Sequence, residues 1–423
     1  MILRVLLLIT LVFYPASISW AEFTSSSGVG MRLEYNDNID LEPDADAKDD
    51  VIATVTPRFS VGWDLPNLNF SLNVGLIAQK YLDNTENDDI NPDLDQPTEL
   101  DLLLNLYKDL FLLRITDTFS QTMIDEGGRG GEGNRNVNFT NTNTLRINPY
   151  LQFALAKGTQ LKLGYTYENL WYEDKDGNDS ESHIYSTVLT QELSPRVTMS
   201  LNGSYTLYRP KNSVDVYVLD GGGTYEYDQI RASIGLSFQA TERLQLEGTY
   251  GHIWLDYNEI GREGDTDEWS ARADYEITSS YTIGTAYTKS VVVSVDDGPS
   301  DTDRFSAYLE YSDRFTLKLT TFINSSSYVE IDRDTDSYGG VLSGELPFND
   351  KVGLRGLVSY ANYDGTGDDP SEYDRYSALL ALYYEIRLGR ISAGYTYTQN
   401  DDNRNNDDDY TNNIVFVEAS LSF

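Results

Sequence analysis

The chain has 423 residues, 31 basic against 68 acidic side chains, a formal net charge of -37 and no cysteine. Such acidity excludes a nucleic-acid partner, whose phosphates would be repelled. Without disulfides, a secreted chain of this length needs another means of holding together, and inter-strand hydrogen bonds in a closed sheet supply one.

The first residues read as a secretory signal peptide over 1–21. Met1-Ile2-Leu3-Arg4 gives a positive start, an apolar stretch follows to Tyr14, Pro15 breaks it, and Ser19-Trp20-Ala21 is a small-x-small cleavage site. No Cys follows that site, so a lipid anchor is not expected. Residues 22–423 then form a single unit. Within it no apolar run approaches the roughly 18 residues of a helical membrane span.

Apolar residues alternate instead. Leu161, Leu163, Tyr165 and Tyr167 oppose Lys162, Gly164, Thr166 and Glu168. Trp269, Ala271, Ala273, Tyr275 and Ile277 oppose Ser270, Arg272, Asp274 and Glu276. Period two over such lengths has no helical reading. The 32 Tyr and 32 Gly, with only 12 Pro, suit twisted strands and tight turns.

Nine short turns punctuate the strands: Pro66-Asn67, Lys108-Asp109, Lys157-Gly158, Ser194-Pro195, Thr241-Glu242, Ser279-Ser280, Asp313-Arg314, Asn349-Asp350 and Leu388-Gly389. Ten longer, mostly acidic loops lie between them. The expectation is an all-β, single transmembrane antiparallel up-and-down β-barrel of about 20 strands, with 18 or 16 left open. Short turns face the periplasm and long acidic loops the outside. The first strand is expected over 28–36, and the least well-bounded one over 224–239. It begins so near the cleavage site that a plugged siderophore-type transporter is not expected.

The final strand, Ile414-Val415-Phe416-Val417-Glu418-Ala419-Ser420-Leu421-Ser422-Phe423, has Val415, Val417, Ala419, Leu421 and Phe423 on one face. It resembles the C-terminal assembly signal of bacterial outer-membrane β-barrels. That resemblance implies the outer membrane as location, its lipid and lipopolysaccharide as surroundings, and the barrel assembly machinery as a partner.

A charge on the lipid face at the bilayer midplane costs about 2–4 kcal/mol, so charged strand positions are assigned to the lumen. The cations are Arg58, Arg114, Arg146, Lys162, Arg231, Arg272, Arg304, Lys318, Arg355, Arg375 and Arg387. The anions are Asp64, Asp101, Glu168, Glu192, Glu247, Asp274, Glu276, Glu310, Glu345, Glu385 and Glu418. The lumen is therefore expected to be charged but nearly balanced, with the acid excess in outer loops. Those loops include Asp83, Glu86, Asp88, Asp89, Asp93 and Asp95. Their plain role is solubility and repulsion; a sharper one is to hold divalent cations against lipopolysaccharide phosphates.

Other candidates are weak. Asp332-Arg333-Asp334-Thr335-Asp336 opens like a calcium loop but has Ser337 where Gly is needed and Ser343 where Glu is needed. Asp174-Lys175-Asp176-Gly177-Asn178-Asp179 is no stronger. His183 and His252 have no companion His at ligand spacing, so no metal site, cofactor or enzymatic activity is expected. The dipeptides Ser182-His183 and Gly251-His252 are the only raw material for catalysis. Gly127-Gly128-Arg129-Gly130-Gly131 lacks the Gly-Lys-Ser/Thr ending of a phosphate loop and reads as a loop able to fold into the pore. Tyr165, Tyr167, Tyr205, Tyr225, Tyr227, Tyr384, Tyr395 and Tyr397 are assigned to interfacial girdles. Tyr150, Tyr208, Tyr308 and Tyr383 are assigned to the lumen, where a ring can stack on a sugar.

The first strand and its exit read Met31-Arg32-Leu33-Glu34-Tyr35-Asn36-Asp37-Asn38-Ile39. This ending, with the Tyr-rich strands, acidic loops and terminal Phe, resembles the β-barrel porin 2 group of outer-membrane proteins. The resemblance implies association with exopolysaccharide loci, and periplasmic export components as partners. The expected function is a porin-like channel for exopolysaccharide export or passive passage of hydrated solutes. The alternative is a structural or adhesive barrel whose lumen is filled by its own loops.

Overall fold

Strictly alternating segments bury one face and wet the other, so their backbone groups must pair sideways with other strands. The computed structural model shows where that pairing leads. It describes residues 22–124, 130, 137–174, 179–211, 226–257, 262–293, 299–328, 333–367, 371–404 and 409–423.

The first strands in chain order are β1 (Glu22–Asn36), β2 (Asp50–Leu65), β3 (Leu68–Tyr81), β4 (Asp89–Pro92), β5 (Thr98–Tyr107), β6 (Phe111–Met123) and β7 (Phe139–Ala156). There follow β8 (Thr159–Tyr172), β9 (Ser180–Ser194), β10 (Val197–Pro210), β11 (Tyr227–Thr241), β12 (Leu244–Tyr257), β13 (Arg262–Thr278) and β14 (Tyr281–Val293). The last are β15 (Pro299–Ser312), β16 (Thr316–Tyr328), β17 (Arg333–Pro347), β18 (Val352–Gly367), β19 (Glu372–Ile386), β20 (Gly389–Asp402) and β21 (Tyr410–Ser422).

Neighbours along the chain pair antiparallel, and β1 also pairs with β21, from Gly28 opposite Ser422 to Asn36 opposite Ile414. The sheet is thus a closed ring. β4 and β5 both pair with β3, at residues 76–79 and 68–73 respectively. They share one wall position, which makes 20 positions from 21 strands. All nine expected short turns lie at one rim. Two boundaries differ from expectation: β1 begins at Glu22, six residues early, and the uncertain strand begins at Tyr227 rather than at 224.

Most strands run 13 to 18 residues, beyond the about 9–11 that span a bilayer. Their ends therefore stand clear of hydrocarbon. Outward positions carry large exposed apolar groups all round the ring, such as Ile230 at 51%, Leu309 at 43%, Leu380 at 56% and Val417 at 55%. Inward neighbours on the same strands are covered, with Ile414 and Phe416 at 1%. The sequence assignment of Val417 outward and Glu418 inward therefore matches the ring.

Leu380 stands near the middle of β19 on the outer face. Leu380→Arg is expected to destabilise the barrel by about 2–4 kcal/mol, read by urea unfolding in phospholipid vesicles; an unchanged midpoint would contradict the lipid-facing assignment.

Candidate functional site

Twenty strands spaced about 4.8 Å apart and tilted about 40° make a wall of radius on the order of 20 Å. Side chains alone do not fill such a ring, so the inner face is the candidate site.

Charges there come in pairs. Lys318 and Glu310 stand opposite each other in the β15–β16 register, 3.6 Å apart. Arg146 and Glu168 do the same between β7 and β8. Arg114 holds Asp101 at 2.6 Å, Arg231 holds Glu268 at 2.5 Å, and Arg272 holds Asp274 at 2.5 Å. Glu418 of β21 takes Arg355 of β18 at 2.5 Å and, where β21 meets β1, Arg32 at 3.8 Å, while Arg32 also bonds Glu34. Arg390 joins Glu385 at 2.5 Å and Glu345 at 2.9 Å. Opposite charges across adjacent strands attract, but pairs this exposed contribute little stability each. Their effect is to cancel the field inside.

Of the remaining expected residues, Arg58 bonds Asp93 and Arg375 donates to Asn400 Oδ1 at 3.1 Å. Glu276 faces Thr282 near the short-turn rim and joins no ion pair among the described residues. Arg387 is a correction: β19 ends at Ile386, Arg387 lies in the turn, and Arg390 makes the ion pairs instead. Sequence reasoning missed Arg32, Glu34, Arg390 and Glu268. Parity alone would have found the first two, because they alternate with Leu33 and Tyr35, which are exposed outward.

Inward aromatic rings carry cations over their faces. Lys162 lies 3.9 Å from the Tyr150 ring centre, Arg390 3.9 Å from Tyr383, and Arg32 4.1 Å from Phe416. Lys318 covers Tyr308 at 5.0 Å, and Arg375 covers Tyr373 at 4.7 Å. These contacts are cation–π pairs, and they occupy the ring faces that sugar stacking would need. Tyr227 is a second correction. It pairs with inward Tyr208, the rings parallel within 13° and 4.6 Å apart, so it belongs to the lumen and not to a girdle. Tyr225 lies outside the described residues.

The acid excess is not confined to loops. Tyr35 donates to Asp49, Tyr167 to Glu181, Tyr205 to Asp228, Tyr250 to Asp267, Tyr287 to Asp303 and Tyr360 to Asp374. The last four distances are 2.8, 3.1, 2.5 and 2.7 Å. In the last five the acid sits opposite the residue two beyond the tyrosine, toward the long-loop rim, as Asp267 faces His252; Asp49 lies just before β2. An outward belt of rings thus has a belt of carboxylates directly above it.

Both histidines belong to this outer surface. His252 Nδ1 lies 2.8 Å from Asp267 Oδ1, and His183 Nδ1 lies 2.7 Å from the Tyr165 hydroxyl. Ser182 is 5% exposed and points to the opposite side of β9 from His183, so the two form no dyad. Asp334 and Asp336 lie on β17 rather than in a loop, which overturns the calcium-loop reading; Asp332 and 175–178 lie outside the described residues. Among the described residues no three acidic or His side chains converge on a metal position.

Residues 93–97 are a third correction. They leave the wall between β4 and β5 and turn into the lumen, where Asp93 is 1% exposed and accepts both Arg58 Nε at 3.0 Å and Nη2 at 2.7 Å. Gly130, the one described residue of 125–136, is also inside, bonded through its N–H and carbonyl to the Tyr410 hydroxyl of β21.

Only a hydrocarbon surround satisfies so much outward apolar surface on a closed sheet, so the protein is an outer-membrane β-barrel, its short-turn rim in the periplasm. No family model and no curated relative matches the chain. Among solved structures it is similar to a mutant of the ferric enterobactin receptor PfeA from Pseudomonas aeruginosa, with TM-score 0.52, 10% identity, and coverage of 96% of this chain and 81% of that one. It is likewise similar to the siderophore receptor PirA from Acinetobacter baumannii, with TM-score 0.50, 10% identity and coverage of 96% and 81%. At that identity the likeness shows the fold.

Arg231→Met would leave the Glu268 carboxylate, 4% exposed, without its cation. A loss of about 1–3 kcal/mol in unfolding free energy is expected, largely restored in Arg231→Met/Glu268→Gln; no loss in the single variant would show that the pair is not formed.

Proposed function

We propose that the barrel is a porin-like passive channel for hydrated polar solutes, an exopolysaccharide chain among them. One observation carries the reading. A single cavity of about 1150 Å³ is lined from Met123, Phe139 and Arg375 at the extracellular strand ends to Thr316, Glu310 and Glu345 beside the periplasmic turns.

The inner charges support passage without strong selection, because most inner cations stand against a carboxylate and neither sign meets a large barrier. The covered aromatic faces favour solutes that move by hydrogen bonding through water over neutral sugars sliding along bare rings. The resemblance of 31–39 to barrels of exopolysaccharide loci supports a glycan as cargo and periplasmic export components as partners. A second reading, a structural barrel occluded by its own loops, is favoured by Gly130 held inside on Tyr410 and by Ile39 and Leu41 of the first loop, both 0% exposed.

Purified barrel in planar bilayers is expected to give discrete conductance steps, with a reversal potential near zero under a tenfold KCl gradient. Steady silence would overturn the channel reading in favour of the occluded barrel. Strong cation selectivity persisting at high salt would contradict a balanced lumen. For the glycan cargo, deleting the gene is expected to trap acidic or neutral polysaccharide in the periplasm; undiminished surface polysaccharide would remove that cargo.

A further inference from the structure

The fourth wall position is broken by its own sequence. Pro92 ends β4 and Pro97 precedes β5, and neither has an N–H to give the ladder. Between them residues 93–97 swing inward and settle on Gly75 of β3. A Cβ at Gly75 would overlap the Gln96 carbonyl. The Gly75 carbonyl still accepts bonds, from Asp93 N at 3.1 Å and Thr98 Oγ1 at 3.2 Å. Asp93 also takes the Asp95 N–H at 3.2 Å, so one carboxylate ties the segment to itself and to Arg58 on β2.

We infer that residues 93–97 form a fixed wedge that sets the width of the passage, with Arg58 as its positioning residue. The inference rests on the channel reading. Asp93, Leu94 and Asp95 border the same cavity as Glu310 and Lys318. Those belong to β15 and β16, the fourteenth and fifteenth of twenty positions, so wedge and opposing wall face each other across the ring. An unbroken strand would keep this space open. The wedge narrows it, and its anchorage is a two-point ion pair on a carboxylate shielded from water, not a pliable surface contact.

Single-channel conductance and the largest polyethylene glycol admitted test the inference on Arg58→Ala, Gly75→Val and the charge swap Arg58→Asp/Asp93→Arg. Assembly is checked by heat-modifiable gel mobility; replacing 93–97 with Gly-Ser residues of equal length stands in for any variant that does not assemble. Loosening the wedge is expected to raise conductance about twofold or more and admit a larger polymer, with the swap returning both toward wild type. A conducting wild type with variants unchanged in both measures would overturn the wedge. A silent wild type with conducting variants would support the wedge as the element that closes the lumen. Silence throughout would overturn the channel reading and the inference with it.

Discussion

Hydrocarbon offers no partner to a peptide N–H or carbonyl, and the rest of the structure depends on that. Each group left unpaired in a bilayer costs several kcal/mol, so a sheet with free edges is not a solution and the ring must close. Here closure rests on the seam between β1 and β21, where residues 28–36 pair with 414–422. It continues to the last residue: Phe423 N donates to Ser27 O at 2.8 Å, and Ser27 N to Phe423 O at 3.3 Å. Once the ring is closed, alternation decides everything else. One parity meets lipid, the other encloses a space too wide for its own side chains.

That space explains the character of the inner face. Apart from the buried carboxylates Glu34, Asp93 and Glu268, charges on the inner wall of a broad, wet barrel are not desolvated enough to demand pairing, yet most are paired. The arrangement follows from register: a basic side chain and a carboxylate at facing positions of neighbouring strands meet without further architecture, as Lys318 and Glu310 do. Among the described residues the same inner face receives three inward intrusions: Ile39 and Leu41 of the first loop, residue Gly130 on Tyr410, and the wedge on Gly75. The first two enter from the extracellular rim. The wedge comes from the wall itself.

Much of this was legible in the sequence. Turn residues and period-two alternation marked about twenty wall strands, with 18 or 16 left open, since hydrophobic parity is imposed locally by lipid on one side and water on the other. Which acid belongs to which face was less legible where the chain leaves the regular ladder. Asp93 and Asp95 look like loop acids because Pro92 and Pro97 look like loop prolines; the pairing of β4 and β5 with β3 shows that the two prolines bracket a break in one wall position. Tyr227 was misassigned because parity carries no sign until an anchor fixes it, and its anchor is Tyr208 on the preceding strand. Arg390 was missed beside a turn boundary displaced by one residue, which put Arg387 on the strand in its place. The tyrosine–carboxylate bonds need the register of two strands, which no single segment contains.

Those bonds bear on how the barrel sits. Tyrosine rings favour the interfacial layer, whereas carboxylates resist entering hydrocarbon. Six such couples stand on β1, β8, β10, β12, β14 and β18, spread round the circumference. Sinking the barrel would drown all the acids together. Tipping it would drown those on one side while lifting rings on the other into water. Each couple thus works as a waterline mark, and a set distributed round the hull fixes both depth and upright posture without any single strong anchor.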